Sequence, residues 1–188
     1  DLHCLLHSFP TRRSSDLVAA KPRVLISLAA DEVDYTRFAD SMIVYIGHHG
    51  DAGAHVADVI LPASAYTEKA GTYVNTEGRV QFADKAVFAP GDAREDWTIL
   101  RAMADAFGVN VGFDSFDALR AAMVTEVAAL GVEGLADYGS ALPAGGGSVS
   151  AEIGYPVKDF YLTNATCRAS PTMQRCSAEL IHGEDMAE

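Results

Sequence analysis

The stretch MIVYIGHHGDAGAHVADVILP, residues 42–62, decides the fold class. It contains two short apolar runs, 42–46 and 59–61, and Pro62 closes the second. A further apolar run, VLISLAA, precedes them at residues 24–30. Continuous apolar runs of this length are typical of strands that are buried on both faces. Because the runs are separated by helix-length segments, the sequence predicts βαβ units and an α/β domain with a mainly parallel sheet flanked by helices.

The segments next to these runs predict shorter elements. Residues 31–40 are typical of a short helix or a loop, and residues 63–70 of a helix or a turn. Residues 73–82 hold a polar turn between two strand-like runs. We expect a hairpin there.

Two amphipathic helices are predicted after the hairpin. The first starts at a capping box formed by Asp92 and Glu95 and ends at Gly108. The second is capped by Asp114 or Ser115 and ends at Gly131. The apolar residues of each helix recur at helical spacing: Trp97, Leu100, Met103, Ala104 and Phe107 in the first, and Phe116, Leu119, Met123, Val127 and Leu130 in the second. We interpret both stripes as core packing.

The two ends of the chain differ in character from its middle. HSFPTRRSSDL, residues 7–17, corresponds to the translation of a common sequencing-library adapter. We therefore expect residues 1–17 to be non-native and the natural protein to be longer upstream; a transit peptide is the alternative. The rest is predicted to be a partial domain truncated at its N-terminus (18–139), a Gly-rich linker (140–156) and a tail that packs on the domain or on a partner (157–188).

Composition excludes several classes of function. The formal net charge of −12 repels phosphate backbones, so nucleic-acid binding is not expected. No apolar run approaches the roughly 20 residues that span a bilayer, so direct membrane insertion is not expected. The three cysteines, Cys4, Cys167 and Cys176, are too few and too scattered for a disulfide framework or an iron–sulfur ligand set.

The segment GHHGDAGAH places four possible metal ligands directly after a predicted strand: His48, His49, Asp51 and His55. Imidazole and carboxylate groups bind divalent transition metals. However, the HExxH spacing is absent, and adjacent histidines on one loop rarely converge on one ion. Polar packing of the loop is therefore the favoured interpretation, and a metal site is the weaker one.

No motif in the sequence assembles a catalytic site. The glycines do not match the dinucleotide-binding pattern, and neither a phosphate-binding loop nor a nucleophile elbow is present. We predict no catalytic residue in this chain.

The run ADVILPASAYTEKAGTYVNTEGRVQ, residues 57–81, resembles the signature of the molybdopterin oxidoreductase family. In that family a strand ends at LP, a Glu–Lys pair follows, and a turn reading N-x-E-G-R-x-Q closes the segment. The matching positions are Glu68, Lys69, Gly71, Asn75, Glu77, Gly78, Arg79 and Gln81.

The resemblance also implies how this turn is built. In the family it faces a cleft that holds a pterin dinucleotide in catalytic members, so its polar groups would satisfy buried partners. We expect Gly78 to have a positive φ. Arg79 would be the ionic partner of Glu68 or Glu77.

Within the family, the GHHGD loop, the YTEK segment and the tail DFYLTN…RAS resemble one branch, the large peripheral-arm subunit of respiratory complex I, the NADH–quinone oxidoreductase. This branch keeps the fold without the molybdenum cofactor. The resemblance implies a structural role in an arm that passes electrons from NADH toward quinone, coupled to proton translocation. Other proteins of the peripheral arm would be the partners.

The same resemblance implies cofactors and a location. Iron–sulfur clusters of the 4Fe-4S and 2Fe-2S types would lie upstream of this chain, and neither a cofactor nor molybdenum is expected within it. The location would be the cytoplasmic face of a bacterial inner membrane, or the matrix side in an organelle. The alternative is the C-terminal part of a catalytic molybdenum enzyme such as a formate dehydrogenase or a nitrate reductase, in which the turn at residues 75–81 would contact a pterin.

Overall fold

The computed structural model describes residues 14–30, 33–135 and 157–183. The predicted Gly-rich linker, Cys4 and most of the predicted non-native segment lie outside these ranges. The strands are β1 (Val24–Leu28), β2 (Met42–Gly47), β3 (Val59–Pro62), β4 (Gly71–Val74), β5 (Arg79–Ala83) and β6 (Gly134–Leu135). The α-helices are α1 (Ser14–Ala20), α2 (Ala52–Val56), α3 (Asp96–Ala106), α4 (Phe116–Glu126), α5 (Ala165–Ala169) and α6 (Pro171–Cys176). Short 3-10 helices cover Tyr35–Phe38 and Ala128–Gly131, and a π-helical turn covers Ser177–Ile181.

Two compact units divide the chain. The first combines the segment that ends at Pro62 with the tail that starts at Asp159, and the second is Ala63–Lys158. A segment distant in sequence therefore packs in the same unit as the parallel strands.

The first unit contains a parallel sheet in the order β1-β2-β3, which confirms the predicted strands and their direction. β2 is central, and four of its consecutive side chains are buried: Ile43, Val44, Tyr45 and Ile46. Asp58 fixes the start of β3 against β2, because its carboxylate accepts from Ile43 N at 2.7 Å and its N donates to Ile43 O at 2.9 Å.

The second unit contains an antiparallel sheet in the order β4-β5-β6. β4 and β5 form the predicted hairpin, in which Val74 pairs with Val80. Val80 is fully buried, and the guanidinium of Arg120 in α4 lies 3.6 Å from the ring centroid of Phe82. The sequence did not predict β6.

Two predictions about burial hold only in part for the described residues. β1 was expected to be buried on both faces, yet its alternate residues Val24, Ile26 and Leu28 are exposed, so one face of this edge strand is uncovered. The stripes of α3 and α4 were expected to be core; most of their residues are half-buried, and neither helix has a fully buried residue. Helical spacing identifies an apolar face but not what covers it.

The ends of the two helices differ partly from prediction. α3 starts at Asp96 with Glu95 as N-cap, so Asp92 does not form a capping box. Gly108 follows α3 with φ +71°, as predicted for a helix stop. Ser115 caps α4 by accepting from Ala118 N at 3.1 Å, but α4 ends before the predicted stop because the chain tightens into a 3-10 turn.

Among the described helices, none is both long and apolar enough to cross a bilayer.

Candidate functional site

The polar turn between β4 and β5 is held by hydrogen bonds within the turn. Gly78 N donates to Asn75 O at 3.0 Å, and Arg79 N donates to Asn75 Oδ1 at 2.9 Å. Asn75 N donates to Arg79 O at 3.1 Å. Gly78 has φ +85°, which confirms the predicted positive φ. Turn geometry by itself thus accounts for the asparagine and the glycine of the motif.

Glu77 and Arg79 form an ion pair on the surface of this turn. Arg79 Nε lies 2.7 Å from Glu77 Oε1, and the side chains of Arg79 and Glu77 are 44% and 55% exposed, respectively. Of the two partners that the sequence left open for Arg79, the structure selects Glu77 rather than Glu68. Asn75 and Gln81 are exposed as well. In the described chain the hairpin places these side chains at the surface. The expectation that the turn faces a cleft and satisfies buried polar groups stays a prediction.

Glu68 and Lys69 have other partners within the second unit. Glu68 Oε2 accepts from Ala65 N at 2.9 Å and closes the turn after β3. Lys69 Nζ donates to the carboxylate of Asp96 at the start of α3, and the two side chains are 22% and 23% exposed. Gly71 begins β4, where an added Cβ would lie 2.9 Å from the aromatic ring two residues along. This part of the motif therefore connects the turn at residues 65–68 to α3 and β4.

Two buried polar atoms near this junction were not predicted. Ser64 Oγ and Asp96 Oδ1 are buried and have no hydrogen-bond partner among the described residues. Ser64 N donates to Arg94 O at 2.8 Å, which brings the two segments together. The sequence carried no signal for the buried carboxylate oxygen of Asp96, since an acidic residue in the first turn of a helix is common on electrostatic grounds alone.

The ion pair of Lys69 with Asp96 and that of Arg79 with Glu77 differ in exposure, so we expect their loss to change stability by different amounts. We expect Arg79→Ala to lower the free energy of unfolding by less than about 1 kcal/mol, because an exposed ion pair contributes little. We expect Lys69→Ala to lower it by about 1–2 kcal/mol, because Asp96 then keeps a poorly hydrated carboxylate without its cation. Urea denaturation of the two variants tests the order. An equal or larger loss for Arg79→Ala would contradict the assignment of the turn as a surface feature.

Tyr45 fixes the course of the histidine loop at the carboxyl end of β2. Its hydroxyl donates to His49 O at 3.0 Å. Its side chain also lies against Gly47 and Gly53, and a Cβ added at Gly53 would come within 2.5 Å of a ring carbon. The glycines around the loop therefore provide the space for this ring.

The four candidate metal ligands do not converge on one point. His48 Nδ1 lies 2.6 Å from His49 Nδ1, so the two imidazoles are hydrogen-bonded to each other. Asp51 pairs with Arg168 of the tail, and His55 is exposed in the last turn of α2. In the part of the chain that the structure describes, no group of three or more His, Cys, Asp and Glu side chains is arranged to hold a metal ion.

Asp159 is the centre of a second polar cluster, within the tail. Ser177 Oγ donates to Asp159 Oδ2, and Tyr161 N donates to Oδ1 at 3.0 Å. His182 Nε2 lies 3.7 Å from Oδ2. The hydrogen bond from Ser177 lowers the pKa of Asp159 below its usual range, with smaller contributions from backbone amides and His182, although burial opposes the shift. The cluster joins the two ends of the tail.

The lowered pKa of Asp159 predicts a pH dependence of the tail. The folded state favours the ionised carboxylate, so its stabilising contribution is present above the ordinary aspartate pKa of about 3.9 and is lost as the pH falls through the lower folded value. We expect Ser177→Ala to raise the pKa of Asp159, and a carbon-13 NMR titration of this carboxyl measures it. Thr172→Ala, an exposed hydroxyl of α6, is the control. An unchanged titration in Ser177→Ala would show that the hydroxyl does not set the pKa.

Two family models match the chain, one after the other. The model of molybdopterin oxidoreductases matches residues 6–106. The model of the C-terminal region of the G-type subunit of NADH-ubiquinone oxidoreductase matches residues 126–176. The first range contains the parallel sheet, the histidine loop and the polar turn, and the second contains most of the described tail.

Curated relatives match over most of the chain. The mitochondrial 78 kDa subunit of NADH-ubiquinone oxidoreductase from Neurospora crassa is 42% identical over 182 residues, which covers 91% of this chain and 24% of the relative. The 75 kDa subunit from Reclinomonas americana is 41% identical, with 89% and 26% covered. The mitochondrial 78 kDa subunit from Candida albicans is 37% identical, with 84% and 24% covered. The chain thus spans about a quarter of the length of the curated relatives it matches.

Proposed function

Since the chain belongs to the molybdopterin oxidoreductase family, we propose that it is part of the large peripheral-arm subunit of respiratory complex I, where it packs and positions neighbouring protein. The whole enzyme would oxidise NADH, reduce quinone and translocate protons. In this proposal the described chain contributes structure to the electron-transferring arm and performs no chemical step.

The observation that carries this proposal is the succession of the two family matches. The molybdopterin oxidoreductase model alone fits both a component of complex I and a catalytic molybdenum enzyme. The NADH-ubiquinone oxidoreductase model at residues 126–176 favours the first of these. The relatives, at 37–42% identity over 84–91% of the chain, support the same choice.

The polar turn fits a structural role better than a pterin site. A pterin dinucleotide carries phosphate groups, which bind to available cations and N–H donors. Here Glu77 partly neutralises the guanidinium of Arg79, and Asn75 Oδ1 occupies Arg79 N. Because Arg79 Nε and its backbone N–H already bind within the turn, these two donors are not offered to a phosphate group, and we assign no step to a pterin.

The iron–sulfur clusters of the proposed subunit would be bound outside this chain. Such clusters are held by four cysteine thiolates in most proteins, and this chain has three cysteines in total. Cys167 and Cys176 are half-buried free thiols on α5 and α6. Their surroundings support ordinary packing in the tail.

We further propose that the partners are the other proteins of the peripheral arm, and that the subunit is a peripheral one on the cytoplasmic face of a bacterial inner membrane or on the matrix side of an organelle. Co-purification tests the partners: an affinity tag on the intact gene product should retain the other peripheral-arm proteins after removal of the membrane. A tagged protein recovered alone from intact membranes would contradict this assignment.

Metal analysis of the intact gene product that contains this chain tests the function. We expect iron at several atoms per chain, without molybdenum, in a preparation that oxidises NADH with a quinone acceptor. About one molybdenum per chain would overturn the proposal in favour of a catalytic molybdenum enzyme. A preparation with neither metal would contradict the electron-transferring role of the parent protein.

A further inference from the structure

The histidine loop lies at the edge of the sheet where ligands usually bind. In open α/β sheets, ligand sites form outside the carboxyl ends of the parallel strands, and the polar residues of the loops there make the contacts. The loop at residues 48–51 directly follows the carboxyl end of the central strand β2. Asp51 is the only carboxylate of this loop, so its partner determines whether this carboxylate can bind a ligand.

Asp51 is bound by the tail and not by its own helix. It occupies the N-cap position of α2, where an aspartate normally accepts from the backbone amides of the first turn, yet it makes no such cap bond. Instead, Arg168 Nε donates to Asp51 Oδ2 at 2.5 Å. The side chains of Arg168 and Asp51 are 27% and 16% exposed, so this pair is better shielded than the surface pair of the polar turn.

The tail holds Arg168 in place through further contacts of its own. Arg168 Nη1 donates to Leu162 O at 3.0 Å, and the Gln174 side chain donates to Arg168 O at 2.5 Å. Asn164 caps α5 by accepting from Cys167 N at 2.9 Å. The segment that carries Arg168 is therefore held by its own hydrogen bonds, so less conformational entropy is lost when the guanidinium pairs with Asp51.

We propose that residues 159–183 form a strap that closes the carboxyl edge of the parallel sheet, with Arg168 in the position where a ligand would contact Asp51. Asp51 lies in the range matched by the molybdopterin oxidoreductase model, and Arg168 lies in the range matched by the NADH-ubiquinone oxidoreductase model. The contact therefore joins the common fold to its branch-specific C-terminal element across 117 positions of sequence. This inference rests on the contact itself and holds whether or not the chain is part of complex I.

Hydrogen exchange on the full 188-residue chain tests the strap. In Arg168→Gln, we expect the amides of α5, α6 and the histidine loop to exchange about tenfold faster, because a shielded charge-assisted bond is lost from the closed state. The amides of β2 should exchange at the parent rate. The matched control is Arg175→Gln, since Arg175 lies in the same strap but pairs locally with Glu179 at 3.6 Å; it should leave exchange in the loop unchanged.

A double variant with the two charges exchanged, Asp51→Arg with Arg168→Asp, tests the ion pair itself. We expect it to restore most of the protection that either single reversal removes. Parent-like exchange in Arg168→Gln would overturn the proposal, as would equal effects of Arg168→Gln and Arg175→Gln. Faster exchange throughout β2 in every variant that breaks the pair would also overturn it, because the tail would then be an inseparable part of the core and not a strap.

Discussion

Tyr45→Ala should lower the free energy of unfolding by about 3–5 kcal/mol, the range for removing a large aromatic side chain from a core. Tyr45 is 2% exposed in the central strand, and its hydroxyl binds His49 O. The substitution leaves a cavity between β2 and α2 and removes the bond that fixes the histidine loop. Chemical denaturation of the full chain, monitored by circular dichroism, measures the change.

Tyr66→Ala is the matched control for this experiment. Tyr66 is the same residue type in a turn, but its side chain is 67% exposed. We expect a change within about 0.5 kcal/mol, as is usual for surface substitutions. If the two variants are equally stable, β2 is not the centre of the first unit's core, and the burial pattern described for this sheet is wrong.

Gly78→Val should lower the free energy of unfolding by about 2 kcal/mol. Residue 78 has φ +85°, and the left-handed region costs roughly 1–2 kcal/mol for an ordinary side chain and more for a β-branched one. The strain would act on a hairpin whose β5 contains the fully buried Val80. Thermal unfolding of the second unit, compared between the parent and Gly78→Val, measures the loss of stability.

Two further glycine variants make the Gly78 prediction specific. Gly78→Asn should lose much less stability, because asparagine tolerates the left-handed region. Gly50→Val should be nearly neutral, since φ at that position is not in the left-handed region and no atom lies within 4 Å of an added Cβ. A parent-like Gly78→Val would show that the turn does not hold this conformation in solution.

The sequence predicted features that depend on residues close together in the chain. The apolar runs predicted the parallel strands, and N-x-x-G predicted the turn in which Asn75 and Gly78 are bonded to each other. Gly108 and Ser115 were recognised as helix signals because such caps bind backbone groups within a few residues. The motif of residues 57–81 also identified the family, because its length makes chance agreement rare.

The failed predictions concern contacts that the sequence pattern does not contain. β1 and β2 have similarly apolar sequences, yet only β2 is buried on both faces, whereas β1 lies at an edge of the sheet with one face uncovered. The capping box at Asp92 failed since a short motif does not specify whether a helix starts there.

The sequence by itself determined the α/β class, the direction of the strands, the shape of the polar turn and the family, because these follow from local periodicity and short-range hydrogen bonds. Only the tertiary structure decided which apolar runs are covered and how the charged groups pair. Lys69 binds Asp96, and Asp51 binds Arg168 in the C-terminal tail. Such pairs depend on the path of the whole chain through space, and a charged residue looks the same in sequence whether its partner is two positions away or 117.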